Sequence, residues 1–191
     1  MKENKKLYKV LKVTVGNIFK ILYRPKVYGI ENIPKDGALI FAGNHRHAFD
    51  PVAVMSNTER IVHYMAKESI FKGLHGKLLE AIGIIKVYRT KSNPVAVSEA
   101  MQVLEQGGTI GIFPEGTRNK TEQELLEFRH GAVVIAQKSG APIIPFAIKG
   151  RYRLFRKGLI IEFGKPVDAS KMETEVANEY IRNEVLELLR K

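Results

Sequence analysis

From Val27 onward, short apolar runs alternate with longer segments in which apolar positions recur every third or fourth residue. The first kind reads as buried strands and the second as amphipathic helices. Strands are expected at Val27–Ile30, Gly37–Gly43, Ile61–Ala66, Ile84–Tyr88, Thr109–Phe113, Pro142–Ile148 and Leu159–Phe163. Helices are expected from Asp50 to Asn57, from Leu74 to Ile82 and from Gly131 to Ser139. A further helix is signalled by Asn93-Pro94 at its start and Gly107 after its last turn. Pro34-Lys35-Asp36-Gly37 reads as a turn. The chain closes on a helix with Ala177, Ile181, Val185 and Leu188 on one stripe, for which Ser170-Lys171-Met172-Glu173 offers a capping box. Strands and helices alternate without repeats or low-complexity linkers, which predicts an α/β fold. The expected architecture is a single layered domain over residues 27–191, with a mixed, largely parallel sheet flanked by helices.

Residues 1–26 follow a different pattern. At about 100° per residue, Leu7, Leu11, Val15, Ile18 and Leu22 fall in one narrow sector flanked by Tyr8 and Phe19. Lys2, Lys5, Lys9, Lys12 and Lys20 gather on the other side, where Val13 and Tyr23 also fall, and Arg24-Pro25 ends the segment. This predicts an amphipathic helix with a cationic face.

Charge sharpens that picture. The formal net charge is +11, and residues 1–26 hold eight lysines and arginines against the single acid Glu3. A basic arm suits nucleic acid or an anionic membrane surface. The apolar stripe favours the membrane, lying in the interface and contacted through Lys5, Leu7, Lys9, Leu11, Lys12, Val15, Ile18, Phe19, Lys20 and Leu22. The bland reading is an ordinary helix docked on the domain with solvated lysines. Nucleic acid is disfavoured, because aromatic residues do not interleave with basic ones as stacking platforms. No stretch approaches the roughly 18 apolar residues of a membrane span, and the lysine-interrupted N-terminus does not read as a signal peptide. A peripheral protein on the cytoplasmic face of the cell membrane is expected. The chain has no cysteine, which excludes disulfides and thiolate metal sites.

Two polar clusters follow buried strands, where α/β folds place their chemistry. The first is Asn44-His45-Arg46-His47-Ala48-Phe49-Asp50-Pro51 and the second Phe113-Pro114-Glu115-Gly116-Thr117-Arg118. His45 is a candidate general base, and Asp50, five residues on, can orient its ring. No G-x-S-x-G nucleophile occurs, so the base would act directly on a substrate hydroxyl. Arg118 is suited to bidentate phosphate binding, Gly116 to close approach, and Glu115 to orienting Arg118 or contacting substrate hydroxyls. His45, His47 and Asp50 also form an H-x-H-x₂-D pattern compatible with a metal, though no further ligand cluster accompanies it. The bland alternatives are a loop histidine with Asp50 as a helix cap, and a surface turn carrying a Glu/Arg pair.

With these blocks in order from about Val27 to Pro166, the sequence resembles the glycerolipid acyltransferase family, most of all its bacterial 1-acylglycerol-3-phosphate acyltransferases. His45 and Asp50 match the family's H-x₄-D catalytic pair. Gly83 and Arg89 match a second block whose arginine contacts the acceptor phosphate. Glu115, Gly116 and Arg118 match a third block assigned to glycerophosphate binding. Ala141-Pro142-Ile143-Ile144-Pro145 matches the apolar fourth block near the acyl donor, making Pro142, Ile143 and Ile144 donor-site candidates. Ala66-Lys67-Glu68-Ser69-Ile70-Phe71 resembles a common family segment and adds Lys67 as a phosphate ligand. His47 stands where many members have serine, and Arg129-His130-Gly131 where F-K-x-G is frequent. The resemblance implies transfer of an acyl group from acyl carrier protein or coenzyme A thioester to lysophosphatidic acid. It implies no cofactor and no metal. Backbone amides near Pro142–Ile144 are candidates for an oxyanion site.

Overall fold

The computed structural model describes residues 4–88 and 93–191. Its seven strands form one sheet: β1 (Lys26–Tyr28), β2 (Leu39–Gly43), β3 (Val62–Lys67), β4 (Ile85–Val87), β5 (Thr109–Ile112), β6 (Ile143–Lys149) and β7 (Ile160–Phe163). Their order is β1-β7-β6-β2-β5-β3-β4, parallel throughout except where β7 turns back against β6. The helices are α1 (Lys5–Tyr23), α2 (Asp50–Ser56), α3 (Gly73–Ala81), α4 (Pro94–Glu105), α5 (Gly131–Ser139) and α6 (Thr174–Arg190). The mixed, largely parallel sheet is the architecture expected from the alternating pattern.

The central strand β2 shows how the sequence divides the core. Its five residues are all buried, and the strand's two-residue period sends them alternately to opposite faces. Ile40 and Ala42 pack beneath α4, α5 and α6 with Ile110, Ile143, Ala100, Ile135 and Ile181. Leu39 and Phe41 face the other side with Tyr64, Phe146, Val54 and Phe19, beneath α1 and α2. Burial on both faces explains why β2, β5 and β6 read as continuous apolar runs. The predicted stripe of α6 is buried as expected at Ala177, Ile181, Val185 and Leu188. Its cap differs. The helix begins at Thr174 after Glu173, and the Ser170 N–H donates instead to Asp168 Oδ1 at 2.9 Å.

Helix α1 also departs from expectation, in its rotation. The face docked on the domain is Tyr8, Gly16 and Phe19, with Lys12 and Tyr23 half-buried beside it. Gly16 allows this approach, since a Cβ there would stand 3.2 Å from Ser56 Cβ of α2. The predicted stripe lies to one side: Leu7, Leu11 and Leu22 are half-buried, while Val15 and Ile18 face solvent. Two of the assigned membrane contacts are therefore corrected. Phe19 belongs to the core, and Lys12 turns inward to donate to the Arg60 carbonyl at 2.9 Å. The helix carries both an aromatic–glycine face and an aliphatic stripe, and the first is the one that docks. Among the described residues, no helix is long and apolar enough to cross a membrane.

Candidate active site

His45 leaves the sheet at the C-terminal end of β2, held by its neighbours on both sides. Asn44 continues the ladder through its side chain, donating to the Ile148 carbonyl at 3.0 Å and accepting the Ile148 N–H at 2.7 Å. The His45 N–H donates to Glu115 Oε1 at 2.6 Å, and its carbonyl accepts the Asn119 N–H at 2.6 Å. The imidazole stacks on Phe113, with centroids 4.2 Å apart, and Phe113 stacks in turn on Tyr64. The loop that follows β5 therefore grips the backbone and ring of the histidine that follows β2.

The ring's Nδ1 lies 2.8 Å from Asp50 Oδ2. That same oxygen accepts the Arg46 and His47 N–H groups, each at 2.7 Å, and Oδ1 accepts the Tyr152 hydroxyl at 2.5 Å. Asp50 is buried at the first position of α2. Four donors converging on its two oxygens define an acceptor-only carboxylate. Nδ1 is thus the protonated ring nitrogen, and Nε2 carries the lone pair needed by a base. His47 does not join Asp50 through its ring. Its Nδ1 accepts the Phe49 N–H at 3.3 Å while the ring stacks on Tyr152. That geometry speaks against a His45–His47–Asp50 metal site, and among the described residues no group of three metal-ligating side chains is gathered.

Tyr152, in the loop between β6 and β7, is the site residue that the sequence reading missed. It lies 102 residues from Asp50, so no local spacing connects them. Burial, and then the neighbouring Asp50 charge, push its phenol well above the ordinary value, so the hydroxyl stays a donor. Its ring also meets Phe19 and Tyr23 of α1 and Phe49 of the catalytic loop.

Glu115 has a different role from the one assigned. It is buried, with Oε1 accepting the His45 N–H and Oε2 the Leu126 N–H at 3.0 Å, so the carboxylate is committed to the loop backbone instead of standing open to Arg118 or a substrate hydroxyl. Burial pushes its carboxyl up, against the opposing pull of these two N–H groups. Gly116 adopts φ +66°, a left-handed conformation that favours glycine, and a Cβ there would press on the movable end of the Arg129 side chain. Arg118 stands exposed three residues beyond Glu115, and Lys67 is the exposed last residue of β3. Because β2, β5 and β3 are adjacent and parallel, His45, Arg118 and Lys67 share the C-terminal end of the sheet, the usual ligand-binding end. The Arg89 assignment lies outside the described residues.

Pro142, Ile143 and Ile144 are not brought to this end. Ile143 pairs with Ile40, three positions before the Phe146–Gly43 pair, or roughly 10 Å down the strand. Ile143 and Ile144 are buried in the core, and the Ile143 N–H is spent on the Val167 carbonyl at 2.9 Å. The donor-site and oxyanion assignments to this segment are therefore corrected. An apolar run reads the same whether it lines a core or a lipid tunnel.

Comparison with known proteins bears on the family and the fold. The sequence model of the acyltransferase family matches residues 24–149. The chain is 33% identical over 148 residues to a 1-acyl-sn-glycerol-3-phosphate acyltransferase of Bacillus subtilis, covering 74% of this chain and 73% of that protein. A protein of the same name from Borreliella burgdorferi is 34% identical over 144 residues, covering 74% of this chain but only 57% of the relative. The crystal structure of the 1-acyl-sn-glycerophosphate acyltransferase PlsC from Thermotoga maritima superposes with a TM-score of 0.72 at 25% identity, covering 98% of this chain and 83% of that one. The stretch matched by the family model runs from the end of α1 to the end of β6 and takes in both clusters, and on that match the chain belongs to the acyltransferase family.

Proposed function

We propose that this acyltransferase moves a fatty acyl group from acyl carrier protein or coenzyme A thioester to the free hydroxyl of 1-acylglycerol-3-phosphate, forming phosphatidic acid. The observation that carries the reading is the His45–Asp50 pair at 2.8 Å, oriented so that Nε2 is the basic nitrogen beside the Arg118 loop. Nε2 takes the hydroxyl proton as the acceptor oxygen attacks the thioester carbonyl. The tetrahedral intermediate collapses with cleavage of the carbon–sulfur bond, and the imidazolium returns the proton to the departing thiolate. Asp50 holds the ring and balances its transient charge. Arg118 and Lys67 supply cations for the acceptor phosphate. The reaction needs no cofactor beyond the acyl donor. The names of the relatives from Bacillus subtilis and Borreliella burgdorferi support this choice of acceptor.

Helix α1 supports a peripheral place on an anionic membrane, at its cytoplasmic face, where lysolipid partitions. Lys5, Lys9 and Lys20 are exposed around a helix whose Val10, Ile18 and Ile21 also face outward. The test is acyl transfer measured with a panel of glycerophosphate and lysophospholipid acceptors and both donor types. Lysophosphatidic acid is expected to be the preferred acceptor, and His45→Ala to abolish transfer. Activity that survives this substitution overturns the mechanism.

A further inference from the structure

We propose that the loop from Gly150 to Gly158 is a second lipid-contacting element, inserting Leu154 and Phe155 into an anionic bilayer surface beside α1. This rests on the membrane-surface part of the function proposed above. The segment Gly150-Arg151-Tyr152-Arg153-Leu154-Phe155-Arg156-Lys157-Gly158 carries four cations, and no acid occurs between Lys149 and Glu162. All four cations are exposed. Between them, Leu154 and Phe155 expose 56% and 59% of their surface, unusually much for adjacent large apolar side chains. Phe155 is also held at φ 57°, a left-handed conformation that a bulky residue rarely adopts.

The loop's position gives that exposure a direction. The Phe155 N–H donates to the Leu22 carbonyl at 2.5 Å, fastening the tip to the last turn of α1. On that part of α1, Ile18 and Ile21 are 57% and 62% exposed, so four apolar side chains from two elements are joined in one region, with Lys20 and Arg24 exposed nearby. At its base, the loop sends Tyr152 inward to Asp50. The apolar tip is therefore anchored next to the catalytic loop, where a lysolipid has to leave the bilayer. Apolar tips ringed by cations suit an interface in which hydrocarbon lies beneath anionic headgroups. An acidic carrier protein would be met by the cations alone, and would leave Leu154 and Phe155 without a role.

The experiment is co-sedimentation of the full chain with phosphatidylglycerol/phosphatidylcholine vesicles. Leu154→Ser/Phe155→Ser is expected to weaken partitioning by about tenfold or more. Its turnover of a short-chain, water-soluble lysophosphatidic acid is expected to stay at the parent level. The chain has no tryptophan, so Phe155→Trp places a single indole reporter at the tip. Its emission is expected to shift to the blue on anionic vesicles and to be quenched by brominated lipid, a readout that stands even if the double variant folds poorly. Unchanged partitioning of a folded double variant, or an indole that neither shifts nor is quenched, overturns the proposal. So does an Arg151→Gln/Arg153→Gln variant that binds vesicles normally but has a raised KM for acyl carrier protein donor alone, which would assign the loop to the carrier. Absence of acyl transfer in the parent chain would sink the proposed reaction while leaving both vesicle readouts intact.

Discussion

The Tyr152 hydroxyl donates to Asp50 Oδ1 at 2.5 Å, opposite the oxygen that holds His45. The H-x₄-D pair is thus extended to a three-residue hydrogen-bond chain whose third member comes from the loop after β6. Tyr152→Phe keeps the ring contacts with Phe19 and Tyr23 and removes only the donor. It is expected to lower kcat by about tenfold with little change in either KM. Steady-state kinetics with both substrates check this, and a kcat equal to the parent's would make Tyr152 a purely structural residue.

Asp50→Asn is expected to be far more damaging. An amide cannot accept from all four donors, and its NH₂ favours the wrong ring tautomer. A loss of about three to four orders of magnitude in kcat is expected, with folding retained. Rates measured alongside circular dichroism check this. A loss below tenfold would remove Asp50 from the mechanism.

Arg118→Ala is expected to act on the acceptor alone. The residue is exposed at the site's rim, and its removal leaves the His45–Asp50 contact untouched. KM for lysophosphatidic acid is expected to rise by about 10- to 100-fold, with Arg118→Lys recovering part of the loss. The donor KM should not move. An effect confined to the donor would count against phosphate binding.

Glu115→Gln tests the brace between the two clusters. The amide retains one acceptor oxygen but turns an NH₂ toward either the His45 or the Leu126 N–H. A stability loss of about 1–3 kcal/mol is expected, because a buried donor loses its partner. A fall in kcat should accompany it, through the displaced histidine. Denaturant melts and turnover give the two numbers, and a change confined to the acceptor KM would restore Glu115 to the substrate contacts.

Lys12 gives α1 a pH dependence. Burial lowers its pKa from 10.5 to about 8, a nearby Lys20 charge adding to the shift and Glu59 opposing it. Between about pH 8 and 10.5 the unfolded chain retains a proton that the folded chain has released, so unfolding becomes harder as pH rises through this window. The melting temperature of the parent chain is expected to rise relative to Lys12→Met over that range. Parallel slopes for the two proteins would refute it.

Much of this molecule is legible in local pattern. The β2–His45 boundary, the bounds of α5 and the buried stripe of α6 all follow from periodicity and from the residues that end each element. Where pattern admitted two solutions, it misled. Helix α1 carries two apolar arcs, and only the shape of α2, with Ser56 opposite Gly16, selects the Tyr8–Phe19 face. Pro142–Ile144 reads as apolar in either role, and only the register with Ile40 sets it in the core.

The sequence by itself determined the α/β class, the pairing of His45 with Asp50 and the gathering of cations in the first 26 residues, because each depends on neighbours or on composition. Tertiary structure alone decided that Glu115 braces His45 rather than meeting substrate, and that Tyr152 completes the Asp50 shell. It also fastened the Leu154–Phe155 tip to α1. Those are contacts between segments far apart in the chain. Their partners are chosen by strand order and by which buried donors need an acceptor, and no local spacing carries that information.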